Sequence, residues 1–142
     1  MNESILGLDV GTVRIGVAIC EGQGLPAMPL CTIDSVSREK DVLAIAALAA
    51  ERGARTLVVG YPLKLDATRG PAAENMDKFI AALRDAFDGV VVAADERLTT
   101  AAANRKLRET GLSGGKRRSL VDRLAAVEIL DGWLARQRRG ST

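Results

Sequence analysis

Apolar residues in this chain follow two rhythms: short dense runs, and longer stretches at helical spacing between and after them. The runs at 4–9, 14–20 and 28–34 are rich in Ile, Leu and Val. Gly11-Thr12 separates the first two, and Gly22-Gln23-Gly24 with Pro26 separates the second from the third. Such spacing predicts three strands joined by short turns, and therefore antiparallel neighbours. Ser37 then opens an Ala- and Leu-rich helix to about Arg52, with Ser37 as N-cap and Gly53 as the C-terminal stop. The β-branched run at 55–60 predicts a fourth strand, residues 62–71 a loop, and 72–87 a helix. A fifth strand is expected at 90–94, a helix at 99–109, a Gly-rich loop at 111–115 and a last helix at 119–138.

The order β-β-β-α-β-α-β-α-α predicts an α/β fold with a mixed five-stranded sheet. Three antiparallel strands come first. Two helix-linked strands follow, parallel to the first strand through right-handed crossovers, with helices on both faces. No repeat or linker interrupts the pattern. We therefore expect a single domain over residues 1–138 and a frayed tail at 139–142.

Composition narrows the chemistry. The 142 residues are 47% apolar and include no histidine. That absence excludes Ser-His-Asp or Cys-His nucleophiles, a histidine base and His-ligated zinc. Hydrolytic chemistry must then rest on carboxylates, lysines or a metal-bound water. Cys20 and Cys31 flank the second turn and could face each other across it, but two thiols in a non-secreted chain are expected to be small buried hydrophobes. No apolar run reaches membrane-spanning length, and the start lacks the pattern of a signal peptide, so a cytoplasmic protein without a membrane partner is expected.

The net charge of +2 hides an asymmetry. Residues 1–96 hold 9 Lys+Arg against 14 Asp+Glu, whereas 97–142 hold 11 against 4. A basic final third fits a polyanionic partner such as nucleic acid, although a solvated helix surface would have the same composition.

Acidic residues at strand ends carry the candidate chemistry. A lone Asp9 at the end of a central strand is expensive to desolvate unless a cation or hydrogen-bond donors compensate it. Gly7 and Gly11 are expected to leave its approaches open to a metal or phosphate. Asp95 and Glu96 end the last strand on the same sheet edge. Neighbours on a strand face opposite ways, so only one of them is expected at the site. Asp122 begins the final helix on a face with Ala125, Ala126 and Ile129, which would let that helix pack closely and bring it to Asp9. Asp131, nine residues on, is half a turn out of phase and should point away. Clustered carboxylates repel unless a cation compensates them, and hard oxygen ligands suit Mg²⁺ or Mn²⁺. Two such ions roughly 3.5–4 Å apart would activate water and stabilise a phosphodiester's leaving oxygen. Taken singly, each acid is an ordinary cap or surface group; their shared edge is what points to a site.

The same residues carry a resemblance. Leu8-Asp9-Val10-Gly11-Thr12 with Ile15-Gly16-Val17-Ala18, Val59-Gly60-Tyr61-Pro62-Leu63, Asp95-Glu96-Arg97-Leu98-Thr99-Thr100, and Val121-Asp122 with Ala125-Ala126 and Ile129-Leu130 resemble the YqgF/RuvX family in order and spacing. These are small RNase H-like proteins described as Holliday-junction resolvases or pre-16S rRNA nucleases. The resemblance implies an RNase H-like fold and a catalytic, metal-binding triad of Asp9, Glu96 and Asp122, favouring Glu96 over Asp95. It implies a metal-dependent nuclease acting on structured RNA or branched DNA, with the 16S rRNA precursor and ribosomal precursor particles as expected partners. The chain departs from the family in the loop after Pro62, where Lys64 and Ala67 stand for the usual Asn and Gly while Asp66 and Thr68 remain.

Thr12, Arg97, Lys116, Arg117 and Arg118 are the candidate nucleic-acid contacts, the last three within a Gly-Gly-Lys-Arg-Arg loop leading into Asp122. The bland alternatives are a strand-end Arg97 paired to Asp95 and a solvated connection. With only four aromatic residues, base stacking must be minor. Trp133 is expected in the core or an interface. Two further functions compete: the Asp-x-Gly-Thr turn also resembles the phosphate-binding turn of actin-like and sugar kinases, which need two such domains, and a nuclease-like fold can serve a non-catalytic ribosome-assembly factor. The chain is expected to act as a monomer or homodimer.

Overall fold

A computed structural model describes residues 3–22, 24–62, 70–95 and 115–140, with the backbone alone at 115–118 and 140. In chain order these form β1 (Ser4–Val10), β2 (Arg14–Cys20), β3 (Met28–Asp34), α1 (Arg38–Arg52), β4 (Ala54–Tyr61), α2 (Pro71–Ala86), β5 (Val90–Asp95) and α3 (Gly115–Gly140). The sheet runs β3-β2-β1-β4-β5, so the first strand lies at its centre. β1 pairs antiparallel with β2 and β2 with β3, whereas β1–β4 and β4–β5 are parallel. The mixed sheet expected from the hydrophobic pattern is the one observed. The helix expected at 99–109 and the family-variant loop with Lys64 to Thr68 lie outside the described residues.

Local signals act where the sequence places them. The Ser37 hydroxyl accepts a hydrogen bond from the Lys40 N–H at 3.2 Å, satisfying an otherwise orphan donor of α1. Gly53 closes that helix in the left-handed region, φ 69°, where a β-carbon would be strained. Asp41 is buried one turn into α1. Its carboxylate accepts from the Ser35 hydroxyl at 2.6 Å and the Val36 N–H at 2.9 Å, which offsets its desolvation and ties the β3–α1 connection.

The two faces of the sheet are packed differently. Leu6, Leu8, Ile15, Val17, Leu57 and Val59 meet α1 and α2 in a core of large side chains that includes Ile45, Phe79 and Leu83. Burying each Leu, Ile or Val there stabilises the fold by about 1.5–3 kcal/mol. On the other face Ala18, Cys20, Val58 and Ala94 meet Ala125, Ala126, Ile129 and Leu130 of α3. Small residues on both sides let this helix lie close to the strands.

Glycines bring it closer still. A β-carbon on Gly16 would fall onto the Asp122 carbonyl oxygen, and one on Gly7 would lie 2.7 Å from Leu130 Cβ. The expectation that Gly7 keeps the carboxylate's approach open is therefore corrected: the missing side chain makes room for α3. Gly11 serves the β1–β2 turn, its N–H donating to the Arg14 carbonyl at 3.0 Å.

Two further corrections concern α3 and the thiols. The helix begins at Gly115, not near Ser119, so residues 115–118 form its first turn and not a loop. The Ser119 hydroxyl is not spent on capping; it pairs with Thr32 Oγ1 of β3 at 3.0 Å, and Lys and Arg are good helix formers. At the other end the helix continues through Arg138 and Arg139 to Gly140, past the start of the expected tail. Cys20 and Cys31 do not face each other. Cys20 packs with the α3-side cluster and Cys31 with the α1-side cluster. The hairpin register pairs Val17 with Cys31 and Ile19 with Met28, with an irregularity between them. Both thiols are free, as expected for small apolar fillers.

Candidate functional site

β1 delivers Asp9 to the sheet edge, one residue before the strand ends. Asp9 pairs with Gly16 of β2, and Gly16 pairs with Thr32 of β3, forming one rung across three strands. The second and third turns of α3 lie over this rung. Ser119 is bonded to Thr32, and the Asp122 backbone rests on Gly16. Asp122 is thus set down over the strand neighbour of Asp9, two turns into the helix and not at its start. Both side chains are almost wholly buried, 1% exposed for Asp9 and 2% for Asp122.

Arg14 completes the arrangement. It opens β2 two residues before Gly16, on the same face, and its Nε donates to Asp122 Oδ2 at 2.8 Å. The pair is largely enclosed, with 16% of the arginine side chain and 3% of the aspartate side chain exposed. Sequence reasoning placed Arg14 in the strand but not in the site. A charged residue starting a strand, just across the turn from a buried Asp, was the signal available.

The structure therefore sets the Asp122 backbone over Gly16, the strand neighbour of Asp9, and adds Arg14. Glu96 and Arg97 lie outside the described residues, as do the side chains of Lys116, Arg117 and Arg118. Thr12 is exposed in the β1–β2 turn and lines a cleft of about 410 Å³ with Val10, Arg38, Asn75 and Phe79, on the α1–α2 side of the sheet. Asp131 is exposed and away from the rung, as its helical phase required. Trp133 packs at the margin of the α3-side core. Tyr61 donates its hydroxyl to Asp77 Oδ1 at 2.7 Å, linking β4 to α2.

Among the described residues no three His, Cys, Asp or Glu side chains form a metal-ligand group. Asp9 and Asp122 are buried hard oxygen donors, and the second is bonded to a cation. Such a donor set fits Mg²⁺ or Mn²⁺, and does not fit a softer metal that prefers sulfur or imidazole. Elsewhere, burial pushes the Cys31 thiol pKa up, an effect partly offset by the positive charges of Arg52 and Arg123. The Arg123 Nε is buried and makes no hydrogen bond among the described residues.

A mixed sheet in the order 3-2-1-4-5, with a buried aspartate near the end of its central strand, defines the class of the molecule. The family described as "RuvX: Holliday junction resolvase" matches residues 3–136, and the chain belongs to that family. Among its relatives, a protein of Myxococcus xanthus is 41% identical over 137 residues, covering 96% of this chain and 91% of its own. One from Chloroflexus aggregans is 43% identical over 139 residues, covering 97% and 98%. One from Crocosphaera subtropica is 44% identical over 138 residues, covering 97% and 96%. All three bear the name "Putative pre-16S rRNA nuclease". Among solved structures, T. thermophilus RuvC in complex with a Holliday junction substrate aligns over 95% of this chain and 96% of its own, with a TM-score of 0.55 and 14% identity. That likeness establishes the shared RNase H-like fold.

Proposed function

We propose that this chain is a metal-dependent nuclease that hydrolyses phosphodiester bonds in structured nucleic acid, with the precursor of 16S rRNA as its substrate. The observation that carries this reading is the burial of Asp9 and Asp122 over one rung at the end of the central strand. Burying two carboxylates together is costly, and a site that works on a cation is a reason to keep them. The names of the relatives favour an RNA precursor. The family's description keeps a branched-DNA substrate as the second reading.

In this proposal Asp9, Glu96 and Asp122 hold Mg²⁺ or Mn²⁺. Strand alternation supports Glu96 over Asp95: Val92 and Ala94 pack with the α3-side core and Val91 with the opposite one, so Asp95 belongs to the latter face. When bound, the metal supplies Lewis-acid activation of water and stabilises the leaving oxygen, in a two-metal arrangement. The chain's own part is to aim the carboxylate oxygens and to grip the strand. Thr12, Arg97, Lys116, Arg117 and Arg118 are the proposed nucleic-acid contacts, the last three as the basic first turn of α3. No described helix is long and apolar enough to cross a membrane. The proposal places the protein in the cytoplasm with ribosomal precursor particles, as a monomer or homodimer.

The test is cleavage of a panel of precursor rRNA, other structured RNA and four-way DNA junctions with Mg²⁺ and with Mn²⁺, beside Asp9→Asn. Metal-dependent cleavage of the rRNA precursor, lost in a folded Asp9→Asn, is the expected outcome. Cleavage of junctions alone selects the second reading. Near-normal activity in Asp9→Asn refutes the catalytic assignment.

A further inference from the structure

We propose that Arg14 is a built-in counter-cation that holds Asp122 in place in the metal-free protein and gives it up when a divalent ion binds. This rests on the metal reading above, and deepens it by naming the residue that tunes metal affinity. Asp122 is nearly buried, and the Arg14 guanidinium bonded to it at 2.8 Å supplies compensating charge with no metal present. Its placement is governed by the hairpin that carries Asp9. The turn is closed by the Gly11 N–H on the Arg14 carbonyl, and β2 pairs with β1 from Val10–Ile15 onward. The guanidinium therefore arrives on the hairpin that carries Asp9 and clasps Asp122, which arrives on α3.

A bond that aids folding in this way opposes metal binding. Asp122 Oδ2 accepts the guanidinium proton through lone-pair density that a hard cation would also use. A monovalent and a divalent cation crowded at one partly desolvated edge also repel each other. To give up Asp122 the guanidinium must swing away, and its partly exposed side chain gives it somewhere to go. A negatively charged phosphate backbone is a fitting second partner for the released group.

The consequence is a pair of effects of opposite sign. Arg14→Met keeps most of the apolar stem but removes the charge. Without metal its melting temperature should fall by roughly 5–10 °C, because a nearly buried carboxylate loses this ion pair. Its Mn²⁺ affinity by calorimetry should rise by roughly tenfold, because the competitor is gone. Arg14→Lys retains the charge and should stay within about threefold of the wild-type affinity, since the repulsion persists. A purely structural arginine predicts the reverse: weaker Mn²⁺ binding in Arg14→Met through a loosened site. That result, or an unchanged affinity, overturns the proposal.

Should Arg14→Met fail to fold, the wild-type protein supplies the readout. The Arg14 Nε–H resonance should be protected from exchange without metal and lose that protection at saturating Mg²⁺. Protection that survives Mg²⁺ saturation overturns the exchange of partners. Failure of the wild type to bind either ion is a different outcome, and refutes the metal reading itself.

Discussion

The two faces of the central sheet solve different problems with the same strands. Toward α1 and α2 the strands present Leu, Ile and Val, which fill space. Toward α3 they present Gly7, Gly16, Ala18 and Ala94, which leave it empty so that a helix backbone can enter. The first face supplies apolar burial and tolerates compromise, since a core of large side chains relaxes partly around a loss. The second gives up that burial for proximity. In return, Asp122, from the end of the chain, is set over Gly16, the strand neighbour of Asp9, and bonded to Arg14 at 2.8 Å. Stability is concentrated on one face, and positional accuracy on the other.

The largest expected effect comes from breaking the close approach. Gly16→Ala drives a β-carbon into the Asp122 carbonyl, a backbone atom that cannot swing aside. Overpacking costs about 1–3 kcal/mol, a clash with backbone falls at the upper end, and the variant should also lose cleavage by displacing Asp122. Leu8→Ala on the opposite face should cost a comparable amount, about 3 kcal/mol, yet leave Mn²⁺ affinity near that of the wild type. Denaturant unfolding and Mn²⁺ calorimetry on both variants check the contrast. An equal fall in metal affinity in the two would mean that the faces are not specialised.

Next in size is the choice between neighbouring acids. On the proposed assignment, Glu96→Gln should remove activity and weaken Mn²⁺ binding, because a neutral amide is a poorer ligand for a hard cation. Asp95→Asn should retain most activity and lose at most about 1 kcal/mol of stability, as for a partly exposed ion pair. Cleavage rates and calorimetry for both variants decide it, and the reverse pattern would shift the register by one residue.

The smallest effect is the most general. Replacing Lys116, Arg117 and Arg118 with Ala should weaken nucleic-acid binding regardless of sequence. For every phosphate these side chains no longer neutralise, the slope of log affinity against log salt should fall by roughly 0.7–0.9. An unchanged slope would make these residues an ordinary solvated first turn of α3 and nothing more.

Much of the architecture was legible because its causes are local. The β2 and β3 limits, the Ser37 cap and the Gly53 stop follow from short-range patterning, and the structure repeats them. The strand-helix order implied the mixed sheet because few topologies connect those elements without crossing or left-handed turns. Asp9 is legible as an acid on an apolar strand and Asp122 as one on a small-residue helix face, and the helical phase correctly turns Asp131 outward. The start of α3 was misjudged because Gly-Gly and Ser119 look like a boundary, when the serine hydroxyl had a distant partner in Thr32.

By itself, then, the sequence determined the elements, their caps, the sheet they would build and the acids worth watching, because each depends on residues a few positions apart. Only the tertiary structure decided which glycines were for a helix and which for a turn, that the two cysteines lie on opposite faces, and that Arg14 reaches Asp122 across 108 positions of chain. Those outcomes depend on how closely α3 settles on the sheet. That distance is set by the summed volumes of residues scattered over the whole chain, and no local pattern encodes it.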